Sequence, residues 1–192
     1  MAERLPRPHE PLPLIAVRPG QHVVRQGEFH PGPWVLHSGA LLASAVSDDG
    51  HVLALDVLGP GDLVGEPDGG PALHSVTALG PGRLRVAEAA EAVGLAAARA
   101  RRLTVLASDL AWRDVGSRIE GRLLDLASRF GRPVPGGTLV SLPLTQEDLA
   151  ALTGTSRESA NRALRELQRR GRVASATRGR YVVRAPQVAV GG

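Results

Sequence analysis

The 192-residue sequence contains no cysteine. That absence removes disulfides, thiolate metal sites, iron–sulfur ligation, cysteine nucleophiles and thiol-based redox sensing together. It contains no lysine either: all 23 strong cations are arginines. A phosphate loop of the Gly-x-x-x-x-Gly-Lys form is therefore excluded, and every strong cation is a planar guanidinium, a group that forks onto phosphates and guanine edges. Aromatics are scarce at two Trp, two Phe and one Tyr. The cores must be built from Leu, Val and Ala, and a stacking platform for single-stranded nucleic acid is poorly supplied, whereas duplex binding suffers less. No apolar run reaches the roughly 18 residues needed to span a bilayer. Charges and prolines interrupt MAERLPRPHEPLPLIAV, where a secretory signal requires an unbroken apolar stretch. These absences predict a cytoplasmic protein with no membrane partner.

What is present is unevenly arranged. Hydrophobic residues make up 43% and charged residues 22%, a globular balance, and the length suits one domain plus a smaller second one. The formal net charge is only +4. Yet between Thr153 and Arg184 nine arginines (Arg157, Arg162, Arg165, Arg169, Arg170, Arg172, Arg178, Arg180 and Arg184) meet only two acids, Glu158 and Glu166. The remainder of the chain is net acidic. A GC-rich genome would account for the missing lysine but not for this clustering, which suits a polyanion.

From Leu14 to Val86, short apolar stretches alternate with turn signals such as Ser47-Asp48-Asp49-Gly50, Gly59-Pro60-Gly61-Asp62 and Gly80-Pro81-Gly82. The spacing predicts a small antiparallel β-barrel or roll, with strands around Trp34–Leu36, Leu41–Ala43, Val52–Leu55 and Ser75–Leu79. After Val86 the punctuation almost stops and Ala-rich sequence runs to about Phe130, a helical centre. Trp112, Val115, Ile119, Leu123, Leu126 and Phe130 recur at helical spacing and predict a buried stripe. Asp114 could instead end one helix and cap the next, and a break there is preferred. GRPVPGG, from Gly131 to Gly137, reads as a linker, with a compact third section from Leu139.

The segment from Leu144 to Val173 carries two [ST]-x-x-[DE] capping patterns, Thr145 with Asp148 and Thr155 with Glu158, and so predicts two helix starts ten residues apart. Leu149 and Leu152 face inward in the first helix, and Gly154 supplies a tight turn. In the second, Ala160, Leu164 and Leu167 form an apolar strip opposite Arg157, Glu158, Asn161, Arg162 and Arg165. Ordinary solvation would explain one such charged face. Its place on the second helix of a helix-turn-helix favours base reading in a major groove instead. Arg157 and Arg162 can fork onto guanine, and Glu158 can accept from a cytosine amino group. Thr145, Gln146, Thr155, Ser156, Ser159 and Asn161 are expected to contact the DNA backbone. Two short strands after Arg172 form a wing, with Arg178 and Arg180 reaching a flanking phosphate.

At these residues the chain resembles the cyclic-AMP receptor protein/FNR family of bacterial transcription regulators. Ser156, Arg157, Glu158 and Arg162 match the family's recognition-helix pattern, which implies a half-site similar to TGTGA. Arg18-Pro19-Gly20, Arg25-Gln26-Gly27, Ser38-Gly39 and the run from Gly59 to Glu66 look like the family's β-roll. The resemblance implies an α+β chain: a cyclic-nucleotide-binding-like jelly roll over 1–89, a dimerisation helix over 90–113, a hinge at Asp114 and a winged helix-turn-helix over 114–192. It further implies a homodimer on pseudo-palindromic double-stranded DNA, and an RNA polymerase contact through 132–139. The family pairs a Gly-Glu with an arginine that grips the nucleotide phosphate. Gly65 and Glu66 match, but His74, followed by Ser75, stands in the arginine's place, and the intervening loop is shorter. Leu103 and Thr104 fall where the family's adenine contacts would lie. A neutral imidazole cannot replace a bidentate guanidinium, so cyclic AMP is expected to bind weakly or not at all; another small-molecule effector, or activity without one, is left open.

Two rivals remain. A cupin-like metal sensor or enzyme would use His22, His30, His37, His51 and His74, but no His-x-His occurs, and no metal or catalytic residue is assigned. An architectural DNA binder without sequence choice conflicts with Glu158, which is costly at DNA unless it reads a base.

Overall fold

Turn residues cut the first part of the chain into eight short strands in the computed structural model, which describes residues 13–177 and 179–184. They are β1 (Ile15–Val17), β2 (His22–Val24), β3 (Trp34–Ser38), β4 (Leu41–Val46), β5 (Val52–Leu58), β6 (Leu63–Val64), β7 (Ser75–Ala78) and β8 (Gly82–Val86). Two antiparallel sheets result, in the orders β1-β8-β3-β6 and β2-β7-β4-β5. Inward residues of both interdigitate: Val17, Leu36, Leu41, Leu58, Val76 and Leu84 are buried together. Each buried Leu or Val contributes roughly 1.5–3 kcal/mol. This is the roll expected from the turn spacing, with four further strands: β1, β2 and β6, which have only two or three residues, and β8, which begins inside the Gly80-Pro81-Gly82 turn signal.

α1 (Ala89–Trp112) follows, then α2 (Val115–Phe130). The break falls at Asp114, whose carboxylate accepts from the Ser117 amide at 3.0 Å and from its hydroxyl at 2.7 Å. An extended residue with a short acceptor starts a new helix in a new direction. The apolar stripe is divided accordingly. Ile119, Leu123 and Leu126 are fully buried, whereas Trp112 is 83% exposed. The expectation that Trp112 shares their burial is wrong, because helical spacing does not carry across a change of helix axis. α1 itself buries only Ala92 and Leu106 and leaves Val93, Val105 and Trp112 in solvent. Among the described residues no helix is long and apolar enough to cross a membrane.

The chain continues through β9 (Arg132–Val134), β10 (Gly137–Ser141), α3 (Gln146–Ala151), α4 (Arg157–Arg169), β11 (Val173–Thr177) and β12 (Arg180–Val183). The segment expected to be a linker is instead a hairpin: Thr138 pairs with Pro133 and Leu139 with Arg132. Pro133 is accommodated because β9 is the edge of the sheet β11-β12-β10-β9, where a missing N–H leaves no partner unsatisfied. Leu139 and Val140 at the hairpin's end are buried. The sheet and α2 to α4 share one core, which includes Leu123, Leu149, Leu164, Val173 and Tyr181 and is continuous with Ala54 and Val57 of β5.

Candidate nucleic-acid interface

Two helix starts build the interface. Thr145 caps α3: its hydroxyl accepts from the Asp148 amide at 3.0 Å, and Asp148 accepts from the Thr145 amide at 2.7 Å, a complete capping box. The second start lies one residue later than the pattern predicts. The Thr155 amide is spent on the Ala150 carbonyl, so the Thr155–Glu158 box does not form. Ser156 is the extended residue, and its Oγ accepts from the Ser159 amide at 3.2 Å. Glu158 is thereby left pointing outward, 3.8 Å from Arg162. Gly154 adopts φ +55°, and a Cβ there would lie 2.6 Å from Leu110, so the turn packs directly on the end of α1.

Ala160, Leu164 and Leu167 bury the inner face of α4, while Arg157, Glu158, Arg162 and Arg165 are exposed and Asn161 is half-buried. Between the start of α3, one side of α4 and the β11–β12 hairpin runs an open groove of about 640 Å³, lined by Thr145, Gln146, Arg157, Asn161 and Arg165 among others. The predicted residues do not all share it. Ser159 and Arg162 lie across the helix in a shallower cleft with Ala163, Glu166 and Arg169. Thr155 is half-buried behind the helix start. The hydroxyls of Ser156 and Ser159 are 3.1 Å apart. Arg180 is exposed at the start of β12, and Arg178 lies outside the described residues.

Sequence reasoning missed Glu147, Gln168, Ser175 and Tyr181, which also line the groove. Gln168 Nε2 donates to Ser175 Oγ at 2.7 Å and ties the end of α4 to the wing. The spacing Arg157, Asn161, Leu164, Gln168 was a signal that could have found it, because it marks one helix side. Glu166 takes up two neighbouring guanidiniums: Arg170 and Arg169 bond its carboxylate and hold its pKa below the usual range.

On the roll, Gly65, Glu66 and His74 do converge. Glu66 and His74 are buried, and His74 Nδ1 lies 3.3 Å from Glu66 Oε1. The decisive partner was not foreseen: Arg99 of α1 donates to Glu66 Oε2 at 2.7 Å and to the Gly65 carbonyl at 3.1 Å. The His74 hydrogen bond, with Arg99 beside it, holds the Glu66 carboxyl down at about 2 against the cost of burial. His30 closes the other side, its Nε2 accepting from the Glu66 amide at 2.9 Å. Its ring comes so close that a Cβ on Gly65 would lie 2.2 Å away. Burial lowers the His30 pKa, which suits an acceptor nitrogen. Ser75 Oγ accepts from the Gln26 amide at 3.0 Å. Leu103 is half-buried on α1, while Thr104 is exposed with its hydroxyl donating to the Ala100 carbonyl. Among the described residues no three His, Cys, Asp or Glu side chains are grouped to hold a metal ion.

Residues 14–98 match the cyclic nucleotide-binding domain and residues 117–188 the Crp-like helix-turn-helix domain. A CRP-like cAMP-activated global transcriptional regulator of Mycobacterium tuberculosis is 32% identical over 169 residues, covering 79% of this chain and 75% of its own length. The chain belongs to the CRP/FNR family. A CRP/FNR-family transcriptional regulator from Thermus thermophilus shares the fold at a TM-score of 0.77 and 20% identity, over 90% of this chain and 94% of that one. FixK2 from Bradyrhizobium japonicum does so at 0.77 and 19% identity, over 92% and 94%. As a CRP/FNR transcriptional regulator, the chain carries its DNA-binding function on the helix-turn-helix of α3 and α4. The stretch between the two matched regions, 99–116, holds Arg99, the second half of α1 and the Asp114 break.

Proposed function

We propose that this CRP/FNR regulator binds a pseudo-palindromic operator with TGTGA-like half-sites as a two-fold homodimer, without requiring cyclic AMP. The observation that carries the operator reading is the outward presentation of Arg157, Glu158 and Arg162 on α4. In that reading Arg157 and Arg162 read guanines and Glu158 a cytosine. Thr145, Gln146, Ser156, Ser159, Asn161 and Arg180 hold the phosphates, with Arg178 assigned the same role from sequence alone. Pairing along α1 is supported by its unpartnered stripe of Val93, Ala97, Val105 and Trp112, a face that a second copy would cover. Such a dimer presents its recognition helices about 34 Å apart. The division into a roll over 1–89, a helix over 90–113 and a DNA-binding region over 114–192 follows the same reading.

The mycobacterial relative is described as cAMP-activated, and this chain departs from that requirement at the pocket. His74 is no bidentate phosphate clamp, and the Glu66 carboxylate is already engaged by Arg99 and His74. The roll is therefore an effector-type pocket without a cyclic AMP requirement, acting in the cytoplasm. The β9–β10 hairpin, with Arg132 and Pro133 exposed, is the surface assigned to RNA polymerase. Selection of bound duplexes from a random DNA pool, with and without cyclic nucleotides, tests the whole. A TGTGA-like palindrome recovered equally under both conditions is expected; recovery of no common sequence, or only with cyclic AMP, contradicts it.

A further inference from the structure

Where three parts of the chain meet, two carboxylates and two guanidiniums alternate around a closed ring. Asp56, near the end of β5 and 2% exposed, accepts from Arg102 Nε at 2.6 Å and from Arg129 Nη1 at 2.8 Å. Asp62, in the turn before β6, accepts from the same two residues, Arg102 Nη2 at 2.8 Å and Arg129 Nη2 at 2.9 Å. Further partners join the ring: the Gly59 amide donates to Asp62 at 2.8 Å, and Arg129 donates to the Val57 carbonyl at 2.7 Å and to Asp125 of its own helix at 3.3 Å. Both carboxylates belong to the roll, Arg102 to α1 and Arg129 to the last turn of α2. Beside the ring, Phe130 sits against Gly59 so closely that a Cβ there would lie 2.5 Å from the aromatic ring.

Such a ring acts as a unit. Asp56 is buried and Asp62 half-buried; carboxylates this close repel unless both are partnered, and the loss of one guanidinium leaves the desolvated Asp56 charge only partly compensated. Any swing of the helix-turn-helix about Asp114 must break the contacts of Arg129 with Asp56, Asp62 and the Val57 carbonyl and lift Phe130 from Gly59. In the arrangement the ring holds, Arg157, Glu158 and Arg162 remain exposed, so the fastened state leaves the DNA-reading face open.

We propose that Asp56, Asp62, Arg102 and Arg129 form an internal latch that fixes the helix-turn-helix against the roll in an arrangement that leaves the DNA-reading face open. The proposal rests on the operator reading above, because the latch acts by setting how two recognition helices face one palindrome. Its loss weakens simultaneous engagement of two half-sites and leaves single half-site affinity alone, since only the bivalent term depends on relative geometry.

The test uses full-length protein and fluorescence anisotropy on a selected palindrome and on its isolated half-site. Arg129→Met removes the bridging guanidinium. Gly59→Val leaves all four charged residues in place and wedges Phe130 away, so it reports independently if Arg129→Met fails to fold. Each is expected to lower affinity for the full palindrome about tenfold while half-site affinity stays within about twofold. Unchanged affinity for the palindrome in both variants, or equal loss on palindrome and half-site in both, overturns the latch. Failure of the parent protein to prefer the palindrome over the half-site overturns the operator reading instead.

Discussion

Replacing Glu66 by Gln should remove a pH-dependent part of the stability that can be sized from the pocket geometry. The carboxyl is buried between His74 and Arg99 and titrates at about 2 rather than 4.5. The linkage amounts to on the order of 3 kcal/mol at neutral pH, since each unit of displacement is worth about 1.4 kcal/mol. The folded pKa is depressed, so this stabilisation is fully present above about pH 4.5 and is lost progressively as the pH falls toward 2. His30 acts in the same direction at higher pH. Its pKa is lowered by burial from 6.5, so as the pH drops below that value the unfolded chain takes up a proton that the folded one resists, and stability falls. Urea unfolding followed by circular dichroism, at intervals from pH 7.5 to 3.5, checks this for the parent protein and Glu66→Gln. The parent should be more stable by up to about 3 kcal/mol at pH 7, with the gap narrowing below about pH 4.5. A gap that stays constant down to pH 3.5, or no gap at all, would refute the ionic role assigned to Glu66.

Arg162→Ala should cost roughly 1–3 kcal/mol in operator affinity and relax one base position, whereas Arg180→Ala should weaken all duplexes alike and reduce the salt slope by about one; binding titrations on matched and mismatched duplexes separate the two. Val105→Arg, on the exposed stripe of α1, should shift the protein to monomer at micromolar concentration, read by analytical ultracentrifugation. Ser156→Ala should lower thermal stability by about 1 kcal/mol through loss of the α4 cap, while Thr155→Ala, whose hydroxyl caps nothing, should cost less; scanning calorimetry compares them.

Local chemistry is legible in the amino-acid sequence by itself. Turn dipeptides separate the strands of the roll, helical spacing picks out Ile119, Leu123 and Leu126, and short acceptor side chains mark the helix starts at Asp114 and Thr145. Each signal acts between residues a few positions apart, where the covalent chain already enforces proximity. Even there, one residue of register at Thr155 and Ser156 and the hairpin at 132–141 were decided by which carbonyl or strand edge stood nearby. The long-range polar contacts were decided only by tertiary structure. Glu66 meets Arg99 across 33 residues, and Asp56 meets Arg129 across 73. Every strong cation in the sequence is an arginine, so side-chain type cannot separate those that neutralise a buried carboxylate from those free to meet a phosphate. Packing separates them, because only a folded core excludes the water that would otherwise satisfy each charge by itself.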